Sequence, residues 1–430
     1  MADKEQFKPG DCQITKITLY SDDGQRQADI RNQVKTIDIY ESVMSPIQYC
    51  EIMMNDSNDL LRQFPIITEE YVELEYKLPK SENPSKHKFH VKSVKDVDPN
   101  SQQKSKTYKL ICVSMEMVNN SKTRVDARFG GYRDKNNVLH GNEVHKDIER
   151  ILKDYIQTDK TYEFEVCKGI DELLVTRIQP FRAIDMLRRR AISKTYESSS
   201  FCFFENKRGY VLSTLERLFD KGKDIIGDKI FWTDTDTGND VAQNMYRNIL
   251  GYKQVHFADS IEKINQGGFS NRVGLLDITT GKYDITKYDD SKDSAKFKSI
   301  EGPALGENSS FFTKKHVDKT AKTLLMVGAS DRAENFLPQK VSILQAYTQK
   351  LMHSLIRVHV YGDDQITAGD VIECHFPTAT GTTEKDHKED RLQSGKFLIS
   401  KVRHILINSE GRQKYTMSFE LIKGGLFEKA

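Results

Sequence analysis

Glu373, Cys374 and His375 stand side by side, so an acid, a nucleophile and a base occupy three consecutive positions. A Cys–His dyad within hydrogen-bond reach would make a thiolate nucleophile, and a Glu–His pair would make a general base. What the triplet can do depends on the element that carries it. Turn signals precede it at Tyr361-Gly362-Asp363-Asp364 and at Gly369-Asp370, and residues 371–376 then read as a strand. Successive side chains of a strand point to opposite faces. Ile372, Cys374 and Phe376 therefore share an apolar face, and Val371, Glu373 and His375 share the other. The spacing parts Cys374 from His375 and makes the thiol a core residue. It leaves Glu373 and His375 as a pair on a face of the kind that usually meets solvent.

The other chemistry-bearing spacings fail. In "DTDTGNDVAQNM" (234–245), Asp234 and Asp236 have the first spacing of a calcium loop, but its sixth and twelfth positions hold Asn239 and Met245 instead of Gly and Glu. His140 and His145 are five apart, not the four of a zinc-binding helix. Gly267-Gly268 lacks the Lys-Ser/Thr ending of a phosphate loop, and no Gly-x-Ser-x-Gly elbow occurs. Arg188-Arg189-Arg190 ends a helical pattern, where the helix dipole favours cations without any nucleic acid. No catalytic residue, cofactor or metal ligand is expected.

Composition narrows the classes further. Lys and Arg number 65 against 63 Asp and Glu, which leaves little of the basic excess that a dedicated DNA binder carries. The six cysteines (12, 50, 112, 167, 202, 374) are scattered, with no CxxC, as free thiols in a reducing compartment would be. The opening MADKEQFKPGDCQ is polar, and no run of about 18 apolar residues occurs, so neither a signal peptide nor a membrane span is expected.

Length predicts about two to four domains. Residues 11–118 are a series of strands broken by turn clusters, with a short helix at 57–64 capped by Ser57 and stopped by Pro65. Val144, Ile148, Ile151, Leu152 and Tyr155 form one helical stripe; Pro180 opens another helix that buries Ile184, Leu187 and Ala191. Residues 198–219 read as a hairpin turning at Asn206–Gly209. A short helix is expected near 240–249, strands near 252–258 and 271–280, and a loop at 288–299. After Pro338 a long helix carries Val341, Leu344, Tyr347, Leu351 and Leu355, and the last segment returns to strand, with Tyr415, Met417, Phe419 and Leu421 on a buried face. Two β domains of similar size thus flank a mixed middle, and they could be duplicates that the sequence hides.

The C-terminal run "LIRVHVYGDDQITAGDVIECHFP", a polar loop at 378–394 and "SGKFLISKVRHILINSEGRQKYTMSFELIKGG" together resemble the C-terminal β domain of baseplate hub proteins from contractile-tailed bacteriophages. The signature turn and strand are Gly362, Asp363, Ile366, Ala368, Gly369, Asp370, Val371 and Ile372, with Gly395 opening the next strand. "VKTIDIYESVMSPIQYCEIMMNDSNDLLRQFPIITEEYVELEYK", "QPFRAIDMLRRRAIS" and "INQGGFSNRVGLLDITTGKYDITKYD" are similar to earlier pieces of the same family, in the same order.

The resemblance implies an α+β, mainly β fold with two tube-type β-barrel domains, the second interrupted by an insertion, and a helical or mixed middle region. The expected boundaries are 1–118 for the first barrel, 119–197 for the mixed domain, 198–219 plus 338–425 for the second barrel, 220–337 for the insertion and 426–430 for a tail. It implies a homotrimer whose six barrels match a sixfold tail tube to a threefold central spike, with pairing between neighbouring barrels covering open strand edges. Its partners would be the spike, the tail tube or a tube-initiator protein, and a tape measure protein. DNA would be passing cargo only, in a lumen without a continuous basic stripe. The location would be the virion tail baseplate, assembled in the host cytoplasm. The rival readings are the hub of a related contractile injection or type VI secretion machine, a tail-associated cell-wall hydrolase, and a carbohydrate-binding module, for which the single Trp232 is thin support.

Overall fold

The structure, a computed structural model, describes residues 8–79, 81, 83–100, 105–136, 139–170, 172–222, 229–233, 245–257, 260–268, 270–278, 280–289, 322–328, 341–342, 344–345, 354–377, 390, 393–409 and 412–423. The chain is mainly β, in an α+β arrangement.

The first third carries β1 (Gln13–Tyr20), β2 (Gln27–Asp29), β3 (Val34–Ser42), β4 (Tyr49–Asp56), α1 (Leu60–Gln63), β5 (Tyr71–Lys77), β6 (Ser85–Asn100) and β7 (Ser105–Ser114). The middle carries α2 (Glu116–Lys122), β8 (Val125–Arg133), β9 (Leu139–Gly141), α3 (Val144–Ile151), β10 (Tyr162–Phe164), β11 (Glu172–Ile178), α4 (Pro180–Arg188), β12 (Phe201–Asn206), β13 (Gly209–Thr214) and α5 (Leu215–Lys221). Then come β14 (Ile230–Trp232), β15 (Ile249–Phe257), α6 (Ser260–Asn265), β16 (Ser270–Asp277), β17 (Tyr283–Asp289) and β18 (Lys322–Gly328). The chain closes with β19 (Ser354–Tyr361), β20 (Val371–His375), β21 (Gly395–Ser409) and β22 (Arg412–Lys423).

One large sheet runs through both β-rich ends in the order β15-β19-β22-β21-β3-β4-β7-β6-β5-β1-β2, with β20 beside β21 and β14 beside β20. The two ends meet where β3 and β21 pair antiparallel, from Lys401 opposite Ser42 to Ile407 opposite Thr36. An isolated bridge from Asp11 to Lys414 brings the start of the chain back beside β22. The strand order repeats. In one run β3 to β7 lie as β3-β4-β7-β6-β5; in the other, β15 and β19 to β22 lie as β15-β19-β22-β21-β20.

The alternation read from the sequence explains why these strands sit as they do. Val72, Leu74 and Tyr76 of β5 and Tyr415, Met417, Phe419 and Leu421 of β22 are all buried in one core that takes residues from both ends of the chain. A second core lies under α3 and α4 and holds Val144, Ile148, Ile151, Leu152, Ile184, Leu187 and Ala191. The β12–β13 hairpin is the wall between the two. Phe201 and Phe203 face the second core while Cys202 and Phe204 face the first; Tyr210 and Leu212 alternate with Val211 in the same way. The hairpin pairs with β10 in a small sheet of its own instead of joining the large one.

Some expectations fail for physical reasons. Ser57 does not cap α1: Asp59 holds the cap position with φ of 54°, and the Asp56 carboxylate accepts the Asn58 and Leu61 amides at 3.1 and 3.4 Å. Of the helix expected near 240–249, residues 240–244 lie outside the described residues; Met245–Arg247 form a single tight turn, and Ile249 already pairs with Val360 as the start of β15. Val341 and Leu344 are helical and Tyr347 and Leu351 lie outside the described residues, but Leu355 is in β19, paired with both β15 and β22. Within the stretch expected as an insertion, β14 and β15 belong to the large sheet, whereas β16, β17 and β18 form a separate one. The calcium-like loop, apart from Met245, and most of the 288–299 and 378–394 loops lie outside the described residues.

Candidate assembly seam

The face of β3 that carries Ile37 and Ile39 continues to Glu41, which places a carboxylate among core residues beside the β3–β21 joint. A buried charge is tolerated only when its lone pairs are filled, and here four segments fill them. Thr367 Oγ1 and the Ala368 amide donate to Oε2, the latter at 3.0 Å. Gln48 Nε2 and the Lys207 amide donate to Oε1 at 2.9 and 2.8 Å. His404 Nε2, on β21, lies 3.6 Å from Oε1. Burial pushes the Glu41 carboxyl up, but the His404 imidazole, Thr367 and Ala368 outweigh it and hold the group at about 2. One side chain therefore ties β3, the approach to β4, the β12–β13 turn and the turn before β20 to a single point.

A second clamp lies alongside. Arg403 grips Asp38 with two bonds, Nε to Oδ1 at 3.1 Å and Nη2 to Oδ2 at 3.0 Å, across the same strand pair. Deeper in, His404 Nδ1 meets the Tyr415 hydroxyl at 2.8 Å, Tyr415 packs on Tyr76, and His87 stacks between Tyr76 and Phe89. The seam is thus polar at its centre and aromatic on its inner side.

The signature residues cluster here. Gly362 is packed so tightly that a Cβ would lie 2.0 Å from Tyr415 Cδ1. Asp363 pairs with Arg247 at 2.8 Å. Ile366 and Ala368 are buried, and the Ala368 carbonyl accepts Asn206 Nδ2 at 3.1 Å. Gly369 has φ of +90°, a conformation that suits glycine. Asp370 receives Arg208 through two oxygens at 2.9 and 2.8 Å. Val371 and Ile372 are buried in β20, and Gly395 begins β21 opposite Cys374. The sequence reading did not pick out Glu41, although the alternation Ile37, Ile39, Glu41 was a signal for a buried carboxylate.

The opening triplet separates as its spacing requires. Cys374 is fully buried, and burial pushes its thiol well above the usual range. Glu373 and His375 do pair, Oε1 to Nε2 at 3.0 Å, and the Trp232 ring stacks on the imidazole with centroids 3.9 Å apart. The pair is positioned without the thiol. Burial likewise raises the thiols of Cys50, Cys112 and Cys202. At pH 8 these four cysteines should resist an aromatic disulfide reagent in the native protein and react at once in denaturant; rapid native labelling of any of them would contradict the packing. Among the described residues no group of three or more His, Cys, Asp or Glu could hold a metal ion. No described helix is long and apolar enough to cross a membrane. Arg188 and Arg189 both pair with Asp185, at 2.6 and 3.0 Å. His140 and His145 lie in different elements, β9 and α3.

No family model matches the chain, and no curated protein matches it. Solved structures do. A tail protein from Neisseria meningitidis MC58 superposes with a TM-score of 0.55 over 97% of this chain and 98% of its own, at 10% identity. The 43 kDa tail protein of prophage MuSo2 from Shewanella oneidensis gives a TM-score of 0.53 over 95% and 98%, also at 10% identity. The chain has the fold of phage tail proteins. At 10% identity this likeness is one of backbone architecture, and the tail-protein fold here extends over nearly the whole chain, both β-rich ends and the middle included.

Proposed function

We propose that this chain is the structural hub of a phage tail baseplate, a homotrimeric ring that joins a central spike to the tail tube and leaves a conduit for DNA. The observation that carries the reading is the repeated strand order, β3-β4-β7-β6-β5 and β15-β19-β22-β21-β20, within one chain. Two like units per chain give three copies six near-equivalent faces, which is what an adaptor between threefold and sixfold partners needs. The seam at Glu41 and Arg403 holds the two units at a fixed angle, so the ring's pseudo-symmetry is set inside each chain before assembly. On this reading the β-rich ends are the two tube units, the spike binds one rim and the tube or its initiator the other, and the protein is not an enzyme.

The test is the solution mass of the full chain, alone and co-expressed with the spike protein of the same tail. A mass of three chains is expected in at least the co-expressed sample. A monomer at every concentration in both samples would overturn the hub. Incubation with peptidoglycan should release no soluble fragments; turnover there would favour the hydrolase instead.

A further inference from the structure

The repeat identifies a second joint. Inside the chain the two runs meet as β21 against β3, and their counterparts by position are β6 and β15. Each counterpart has an open edge among the described residues. β6 pairs with β5 only as far as His90, so its outer side from 91 to 100 has no strand beside it. β15 pairs with β19 on one side only.

The correspondence extends to one bulge in each strand, although β6 bulges again between Lys95 and Asp98 and β15 between Gln254 and His256, where β21 and β3 do not. β3 skips a residue against β4 between Val34 and Thr36, and β15 skips one against β19 between Ile249 and Gly251. β6 skips one against β7 between Val91 and Ser93, and β21 skips one against β22 between Ile399 and Lys401. At those second bulges the Val91 amide donates to the Glu70 carbonyl at 2.8 Å and the Ile399 amide to the Asp370 carbonyl at 2.9 Å. Bulges are placed features of a strand, and matched pairs of them fix the alignment of the two units.

We propose that β6 of one copy pairs antiparallel with β15 of the next, in the register that β21 and β3 use within the chain. That register sets Ile405 opposite Asp38. Matched through the partner strands β22 and β7, Ile405 opposite Thr416 corresponds to Asp98 opposite Thr107, which lies past the further β6 bulge, and Asp38 opposite Glu51 corresponds to Lys253 opposite Arg357. The interface therefore places Asp98 of one copy against Lys253 of the next, two exposed side chains of opposite sign. The positional counterparts of the inner clamp, Arg403 and Asp38, are Lys95 and Lys253, two cations, so the opposite-sign pair of the outer joint is Asp98 with Lys253. The pairing also covers edges that carry Val97, Leu250, Tyr252 and Val255, which are 52, 41, 41 and 44% exposed. Pro99 has no N–H to give, so the ladder ends just beyond Asp98. The two edges differ, so the contact is head-to-tail and makes a ring when its rotation closes. Closure at three copies rests on the hub reading.

The experiment uses the full chain with D98C and with K253C, mixed and mildly oxidised. Directly opposed residues in an antiparallel pair are within disulfide reach. A cross-linked pair should form in the mixture and not in either variant alone. The K253D variant should associate several-fold more weakly, and D98K/K253D should recover. A three-chain mass with no cross-link in the mixture, or association unchanged in both charge variants, overturns this interface and leaves the hub reading standing. A monomer in every sample overturns both.

Discussion

Glu41→Ala is expected to lower the stability of the chain by on the order of 3–5 kcal/mol, the usual scale for removing one partner from a buried, hydrogen-bonded charge. The loss is not that of one contact. It strands Thr367 Oγ1, the Ala368 and Lys207 amides and Gln48 Nε2 in the interior, and each unmade bond of that kind costs about 1–3 kcal/mol where the site cannot admit water. Glu41→Gln separates shape from charge. The amide keeps the volume and one acceptor, but its NH2 must face a pair of donors, so it should lose a smaller but clear share. The urea midpoint followed by circular dichroism reads both. An alanine variant within about 1 kcal/mol of wild type, the scale of an ordinary surface substitution, would mean that the seam does not hold the fold. The carboxyl also sets an acid limit. Its folded value, about 2, lies below the ordinary 4.5, so its contribution is whole above 4.5 and disappears as pH falls through 2.

The seam makes the placement of the hairpin intelligible. β12 and β13 are buried on both faces and donate the Lys207 amide to Glu41 from their turn. A two-stranded element with two buried faces cannot slip in register without exposing one apolar set and burying its turn. The middle region is thereby locked to the joint between the β units. Movement at β3–β21 would have to move the hairpin, and with it the second core. A rigid joint between the two β-rich ends follows from this packing.

Elements with a single buried face were legible in the sequence because their pattern is local. Tyr415 to Leu421, Val72 to Tyr76, and the Val144–Leu152 stripe each declare a face within one or two turns of chain. What stayed hidden depends on distant pairings. The likeness of β3–β7 to β15 and β19–β22 lies in hydrogen-bond order and in one bulge per matched strand, while side chains at matched sites differ: Asp38 against Lys253, Glu51 against Arg357. A few matches remain, such as Phe89 with Phe397 and Val94 with Val402, too sparse to detect without the ladder. The extra length given to the helix after Pro338 has the same origin: Leu355 falls on the helical stripe, but tertiary pairing with β15 and β22 draws it into a strand. The seam was half visible, since the turn around Gly369 announces itself while its receptor, Glu41, lies more than 300 residues away.

The same seam predicts acid sensitivity well above the range in which Glu41 titrates. His87 stacks between Tyr76 and Phe89, and its Nε2 is buried without a hydrogen-bond partner among the described residues. Burial opposes its protonation, His404, Lys207 and Lys160 add to that, and only Glu41 works against them; the imidazole is pulled from 6.5 down to about 3. The unfolded chain therefore binds a proton below pH 6.5 that the folded chain refuses. Stability is full above 6.5 and is lost as pH falls toward 3. At about 1.4 kcal/mol per unit, the stretch from 6.5 to 4.5 removes roughly 2–3 kcal/mol before Glu41 begins to contribute. His87→Phe keeps a flat ring in the stack and has nothing to protonate, so its stability should fall much less over that interval. The slope will not vanish, because burial also lowers His90, His145 and His359. Urea midpoints at pH 7.0, 5.5 and 4.5 compare the two proteins directly. Equal slopes would mean that the folded chain accepts the proton at His87 without strain, and that water reaches the centre of the joint.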